Sequence, residues 1–307
     1  MEIMAKLPTP CELKQQLALS PQVLADKASK DGEIAAILRG DDRRLLLIIG
    51  PCSANNPPAV LDYAHRLAER AGQVADKMLV ALRVYTAKPR TDCRGFLGLL
   101  HQPGGLPTAR KLHLDVLEQT GLPTADELLY TALMPYFDDL VSYFAVGARS
   151  VENQEHRLVA SGALAPVGMK NPLSGEIAPM LTAINAAKAP HNFIYRDCEV
   201  QTTGNPLAHG ILRGGQAPNY GGDVLARMTE PVIVDCSHGN SAKNPLRQRD
   251  VALDVLKSRK KQPLVRGLMI ESFTMGGSGS LYGQSITDPC LSWTDTRNLI
   301  EEIAFSL

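Results

Sequence analysis

The stretch LLLIIGPC, residues 45–52, runs through five aliphatic side chains and stops at Gly-Pro-Cys. A short apolar run closed by breakers reads as a strand buried on both faces, the kind found in parallel sheets covered by helices. Seven further runs follow the same design: LVALRVY (79–85), PTADEL (123–128), FAVGAR (144–149), APVGMK (165–170), HGILRGG (209–215), PVIVDCSH (231–238) and RGLMIES (266–272). Helix-patterned stretches such as PAVLDYAHRLAERAGQ (58–73) and LPTARKLHLDVLEQTG (106–121) separate them. Strand then helix, repeated to eight strands, predicts an α/β protein of the (β/α)8 barrel type. The barrel is expected over residues 41–307, preceded by a helical arm over 1–40 in which LADKASKDGEIAAIL has helical apolar spacing that ends at Gly40. HNFIYRD and EVQTTG (191–204) fit a β-hairpin inserted before the sixth barrel strand.

The bulk composition narrows the classes of function. A hydrophobic content of 44% and a charged content of 21% over 307 residues suit a soluble globular chain with a sizeable core. Lys+Arg 32 against Asp+Glu 32 leaves no global field to attract nucleic acid or an anionic membrane, so any cationic function must be local. The opening MEIMAKLPTPCELKQQLALSP has no apolar core of signal-peptide length, and no run approaches a membrane span. A cytoplasmic protein is expected. The six cysteines lack any C-x-x-C pairing and read as reduced thiols, each a core filler or a ligand.

Each apolar run ends at a polar or reactive residue: Cys52, Arg83 with Lys88, Glu127, Arg149, Lys170, Arg213, His238 and Glu271. A (β/α)8 barrel builds its active site at that end of the strands, so these side chains should meet at one mouth. Arg83, Lys88, Arg90, Arg149, Lys170 and Arg213 together call for a ligand with several negative charges. Phosphate and carboxylate suit arginine's planar fork, and lysine adds a mobile point charge. Any one of these cations alone would read as a surface or ion-paired residue; six at successive strand ends read as a site. Cys52, His238, Glu271 and Asp288 offer a thiolate, an imidazole and two carboxylates, a mixed set suited to a divalent Mn, Fe, Co or Zn ion. Cys236 reads as core. GARS and LRGG place small residues beside arginine, where backbone N–H groups can approach an anion, and SFTMGGSGSLYG (272–283) reads as a mobile loop over the mouth.

In order along the chain, IIGPCS, RVYTAKPRT, GARS, PVGMKN, LRGG, APNY, DCSHGNS and YGQSITDPC resemble the motifs of the metal-dependent 3-deoxy-D-arabino-heptulosonate 7-phosphate (DAHP) synthases, of the type of the feedback-regulated bacterial isoenzymes. The resemblance spans roughly residues 35–300. It implies condensation of phosphoenolpyruvate with erythrose 4-phosphate at the head of the shikimate pathway. On that pattern Cys52, His238, Glu271 and Asp288 hold the metal. Arg83, Lys88, Arg149, Lys170 and Arg213 hold phosphoenolpyruvate with Glu127 beside them, and Arg90 and Thr91 grip the aldehyde's phosphate. Lys88, Glu127 and a water held by the metal are candidates for moving protons, and His238 counts as catalytic as well as ligand. The arm and hairpin imply, by the same resemblance, a homo-oligomer, a dimer or a tetramer.

The chain departs from that pattern at Ala87, at Asn55 and Asn56 after PCS, at Leu97 in the loop after KPRT, in a shortened hairpin over 193–204, and at Met134. The loop concerns the aldehyde; Met134 and the hairpin lie where the regulated isoenzymes bind an aromatic amino acid, so little or no inhibition by Phe, Tyr or Trp is expected. Two other readings stand beside the first. One is the same chemistry on a different phosphorylated aldehyde, with arabinose 5-phosphate disfavoured by the KPRT motif. The other is a catalytically silent binding or scaffolding paralogue, opposed by the complete metal and phosphoenolpyruvate sets.

Overall fold

The computed structural model describes residues 2–3 and 5–307, so within the predicted arm Met1 and Met4 lie outside the described residues. Ten strands form in chain order: β1 (Leu45–Gly50), β2 (Met78–Arg83), β3 (Thr124–Glu127), β4 (Val141–Val146), β5 (Val167–Lys170), β6 (Asn192–Tyr195), β7 (Cys198–Gln201), β8 (His209–Leu212), β9 (Val232–Asp235) and β10 (Val265–Glu271). Eight of them close into a parallel barrel in the order β1-β2-β3-β4-β5-β8-β9-β10, and β10 pairs back onto β1 with Leu47 opposite Leu268 and Gly50 opposite Glu271. Each of the eight apolar runs is one barrel strand. The antiparallel β6–β7 hairpin sits between the fifth and sixth barrel strands, as its sequence predicts, and turns through Arg196 at φ +55°.

Side chains alternate across each strand. In β1, Leu46 and Ile48 belong to the cluster that fills the barrel, while Leu45, Leu47 and Ile49 pack outward beneath the helices. Those helices are α3 (Pro57–Gln73), α4 (Gly105–Thr120), α5 (Gln154–Ala160), α6 (Ala178–Lys188), the single turn α7 (Gly222–Leu225), α8 (Arg247–Arg259) and α9 (Trp293–Ser306); α1 (Pro10–Gln16) and α2 (Pro21–Arg39) precede β1. One strand–helix repeat is broken: a 3₁₀ turn, Thr131–Tyr136, replaces a helix between β3 and β4. Pro135 in its middle can donate no backbone hydrogen bond and fits the short turn better than a full helix.

The predicted arm helix α2 starts where Ser20 Oγ accepts from the Val23 amide and ends at Gly40, whose φ of +93° stops the helix in the left-handed region. Its Ile34, Ile37 and Leu38 are buried and join the cluster inside the barrel, beside Leu46, Leu79 and Ile233. The helix thus stoppers the barrel at the amino-terminal ends of its strands. Among the described residues no helix is long and apolar enough to cross a membrane.

Candidate active site

Strand parity decides what faces the barrel's axis at the carboxyl end. The last residues of β2, β3, β5, β9 and β10 are Arg83, Glu127, Lys170, Asp235 and Glu271, each two residues beyond a side chain or glycine that lines the interior. Arg213 follows β8 directly, while Cys52 and His238 stand two and three residues past β1 and β9.

The predicted metal set is only partly drawn together. Ligand atoms of Cys52, Glu271 and Asp288 all lie within 4.8 Å of one another. His238 stands at their edge, its Nε2 3.7 Å from Glu271 Oε1. Lys88 enters the same cluster, with Nζ 2.7 Å from Cys52 Sγ and 3.9 Å from Asp288 Oδ2. A thiol and two carboxylates packed this closely concentrate negative charge that needs a cation, and the sulfur, nitrogen and oxygen donors fit a divalent transition metal. Burial, with Glu271 adding to it, pushes the Cys52 thiol up. Burial also opposes ionisation of Glu271 and Asp288, but nearby His238, Arg83 and Lys88 for the first, and Lys88 and Lys243 for the second, outweigh it, and both carboxyls lie below their usual range.

Above this cluster opens a cleft of about 280 Å³. Of the predicted residues, Lys88, Arg90, Thr91, Glu127, Arg149, Lys170, Arg213, His238 and Asp288 line it. Arg83 does not. It lies beneath the floor, 1% exposed, paired with Glu271 at 3.1 Å and stacked 3.9 Å from the centre of the Tyr85 ring, with NH1 left without a hydrogen-bond partner. Arg149 Nε donates to Thr91 Oγ1 at 3.1 Å, so the two substrate-holding groups separated by the resemblance touch at the rim. Burial lowers the Arg213 guanidinium, and none of the ion pairs found among the described residues includes it.

Sequence reasoning missed three participants. Asp235, wholly buried, holds Lys170 Nζ and His238 Nδ1 at 3.0 Å each. Burial raises its carboxyl, but His238 and Lys170 outweigh that and keep it well below the usual range. Its parity with Ile233 in VIVD was the available signal. Lys243 lines the cleft 3.4 Å from Asp288, and Leu173, 45% exposed, adds to the apolar part of a wall that Pro89 and Ala148 also line.

Packing accounts for the glycines of GARS and LRGG, and Gly147 also lines the cleft. A Cβ on Gly147 would meet Glu127 Oε1 at 2.3 Å, and one on Gly214, where φ is +74°, would meet the Asn240 amide nitrogen at 2.5 Å. The bare backbone of Gly214 lets the loops after β8 and β9 cross, and three buried amides fasten them. Asn171 Oδ1 accepts from the Arg213 N–H at 2.8 Å, Asn219 Oδ1 from the Gly214 N–H at 2.7 Å, and Asn240 Nδ2 donates to the Asp235 carbonyl at 2.8 Å. The loop after β10, expected to be mobile, is pinned by bridges pairing Gly277 with Cys290 and Ser278 with Ser285. Cys236 is core, as expected.

A barrel with this mouth has known counterparts. The family model described as "DAHP synthetase I family" matches residues 14–302. The chain belongs to the DAHP synthetase I family. It is 40% identical to a Trp-sensitive phospho-2-dehydro-3-deoxyheptonate aldolase of Shigella flexneri, over 98% of this chain and 95% of that one. Against the Trp-sensitive enzyme of Escherichia coli K12 the identity is 39%, over 97% and 94%. The solved structure of phospho-2-dehydro-3-deoxyheptonate aldolase from Francisella tularensis SCHU S4 superposes with a TM-score of 0.95 at 33% identity, covering 100% of this chain and 98% of that one. Membership carries the family's transferase chemistry, the condensation of phosphoenolpyruvate with an aldose phosphate.

Proposed function

We propose that the cleft condenses phosphoenolpyruvate with erythrose 4-phosphate, releasing phosphate and DAHP, as the opening step of the shikimate pathway. The observation that carries this reading is the meeting, in one cleft of about 280 Å³, of the Arg149, Lys170 and Arg213 cations with the Arg90–Thr91 pair, directly over the Cys52, Glu271 and Asp288 cluster. Two anionic substrates need two cationic grips, and the reacting carbons need to meet between them.

Arg149, Lys170 and Arg213 bind the carboxylate and phosphate of phosphoenolpyruvate, Arg83 adding its free NH1 from below. Arg90 and Thr91 bind the aldehyde's phosphate. C3 of phosphoenolpyruvate attacks the aldehyde carbon to form the new C–C bond, water adds at C2, and the C2–O bond to phosphate breaks. Cys52, His238, Glu271 and Asp288 would hold a divalent ion, Mn, Fe, Co or Zn, which when bound would supply Lewis-acid polarisation of the carbonyl. Burial works against the charge on Lys88, but Cys52, Glu271 and Asp288 prevail and hold it protonated at the cleft wall, placed to give a proton to the oxygen that gains negative charge. Glu127, across the cleft, is placed to orient the water.

The protein acts in the cytoplasm as a homo-oligomer, a dimer or tetramer, with residues 1–40 as an arm to the 41–307 catalytic domain. Control by aromatic amino acids is reduced relative to the Trp-sensitive relatives: the short β6–β7 hairpin docks on the 131–136 turn that carries Met134, through the Tyr195 hydroxyl and the Thr131 carbonyl. A second reading, the same chemistry on another phosphorylated aldehyde, is favoured by Leu173 and Asp92 in the cleft wall. Purified protein with Mn²⁺, phosphoenolpyruvate and a panel of phosphorylated aldehydes separates the two by phosphate release and product mass. Turnover best with erythrose 4-phosphate supports the first reading; preference for another aldehyde replaces it with the second, and no turnover with any of them sinks both.

A further inference from the structure

Asp235 divides its carboxylate between two tasks. Oδ1 accepts from the backbone N–H of Ser237 at 3.0 Å and from its hydroxyl at 2.5 Å, which fixes the plane of the group. Oδ2 accepts from Lys170 Nζ and from His238 Nδ1, each at 3.0 Å. Because the Ser237 hydroxyl gives its proton to Asp235, its 2.8 Å contact with His238 Nδ1 makes it an acceptor there. Both neighbours of Nδ1 therefore accept, so Nδ1 bears a proton, and Nε2, on the side of Glu271, is the nitrogen left to serve a metal. Lys170, 4% exposed, has no other carboxylate partner among the described residues.

We infer that Asp235 is a positioning residue that couples anion binding in the cleft to metal binding below it, through the single oxygen Oδ2 shared by Lys170 and His238. The inference rests on the proposed function, which assigns Lys170 to phosphoenolpyruvate and His238 to the metal. An anion that draws Lys170 toward itself removes a competing cation from Oδ2. The Nδ1–H bond to Oδ2 then strengthens, Nε2 becomes the better donor, and the metal is held more tightly. Linkage requires the reciprocal effect: bound metal tightens the anion by the same factor.

Mn²⁺ binding to the metal-stripped protein, followed by loss of the free-ion electron paramagnetic resonance signal with and without phosphoenolpyruvate, tests this. Phosphoenolpyruvate is expected to tighten Mn²⁺ about tenfold in the native protein. The factor should collapse to within about twofold in both Asp235→Asn and Lys170→Gln. Lys170→Gln, measured at phosphoenolpyruvate concentrations that calorimetry shows to saturate the variant, leaves no buried ammonium unpaired and keeps the test alive if Asp235→Asn does not fold, as judged by circular dichroism. Undiminished tightening in either folded variant overturns the coupling, since a direct contact between anion and metal would then explain it. Tight phosphoenolpyruvate binding with no effect on Mn²⁺ in the native protein overturns it too. Calorimetry that detects no phosphoenolpyruvate binding to the native protein overturns the functional reading and the coupling with it.

Discussion

His209 opens β8 inside the barrel, about 1% exposed, where its ring meets Tyr143 of β4. Nδ1 contacts the Leu207 carbonyl at 2.8 Å and Nε2 the Tyr143 hydroxyl at 2.7 Å. A carbonyl only accepts, so Nδ1 carries the proton of the neutral ring and Nε2 accepts the hydrogen bond of the Tyr143 hydroxyl; a second ring proton would have to turn that hydroxyl proton away. Burial, set only partly against the bond to Leu207, lowers the imidazole from 6.5 to about 4. The unfolded chain therefore binds more protons than the native one between those values, and stability present above pH 6.5 is lost as the pH falls toward 4. The loss amounts to about 2 kcal/mol between pH 7 and pH 5 and about 3 kcal/mol by pH 4. Urea unfolding at pH 7 and pH 5, for the native protein and His209→Gln, isolates this group because all other titrations cancel in the comparison. The variant is expected to be less stable at pH 7 yet to lose about 2 kcal/mol less on acidification. Equal losses in the two proteins would refute a neutral, buried His209.

Lys170→Ala and Arg149→Ala should impair the use of phosphoenolpyruvate and Arg90→Ala that of the aldehyde, each by roughly ten- to hundredfold in kcat/KM, about 1.5–3 kcal/mol; a rise in KM for phosphoenolpyruvate alone in Arg90→Ala would reverse that partition. Cys52→Ala should bind divalent metal more weakly and keep its fold, and full activity of that variant after exhaustive chelation would remove the metal assignment. Phe, Tyr and Trp should each inhibit weakly or not at all at subsaturating phosphoenolpyruvate. Clear inhibition by any of them, relieved by changing Met134 or the β6–β7 hairpin, would show a working regulatory pocket there.

The barrel was readable because every strand is a compact apolar run that ends in a polar residue, and strand order follows chain order except for the inserted hairpin. The cleft's cations were readable for the same reason. Depth was not. Arg83 and Lys88 share one motif, yet Arg83 turns under the floor to Glu271 while Lys88 reaches across to Cys52, thirty-six positions back in the chain. That choice depends on where the neighbouring carboxylates end up. Asp235 sits in a motif whose chemistry is dominated by the His238 that follows it, and its place two residues after Ile233 is what points it inward. The role of α2 was hidden for a different reason. Ile34 and Ile37 mark a buried face, but a helix does not encode which surface will cover that face.

The stopper formed by α2 ties the first and last barrel strands into one event. Ile34 and Ile37 rest on a cluster whose last member is Met269, and β1 finds its second neighbour only in β10. On the ribosome these apolar side chains emerge early and wait, partly uncovered, until β10 has been made. Closure joins an early and a late part of the barrel, a contact of large sequence separation that slows folding. Without β10 the sheet keeps an open edge at β1, and the cluster under α2 lacks Met269.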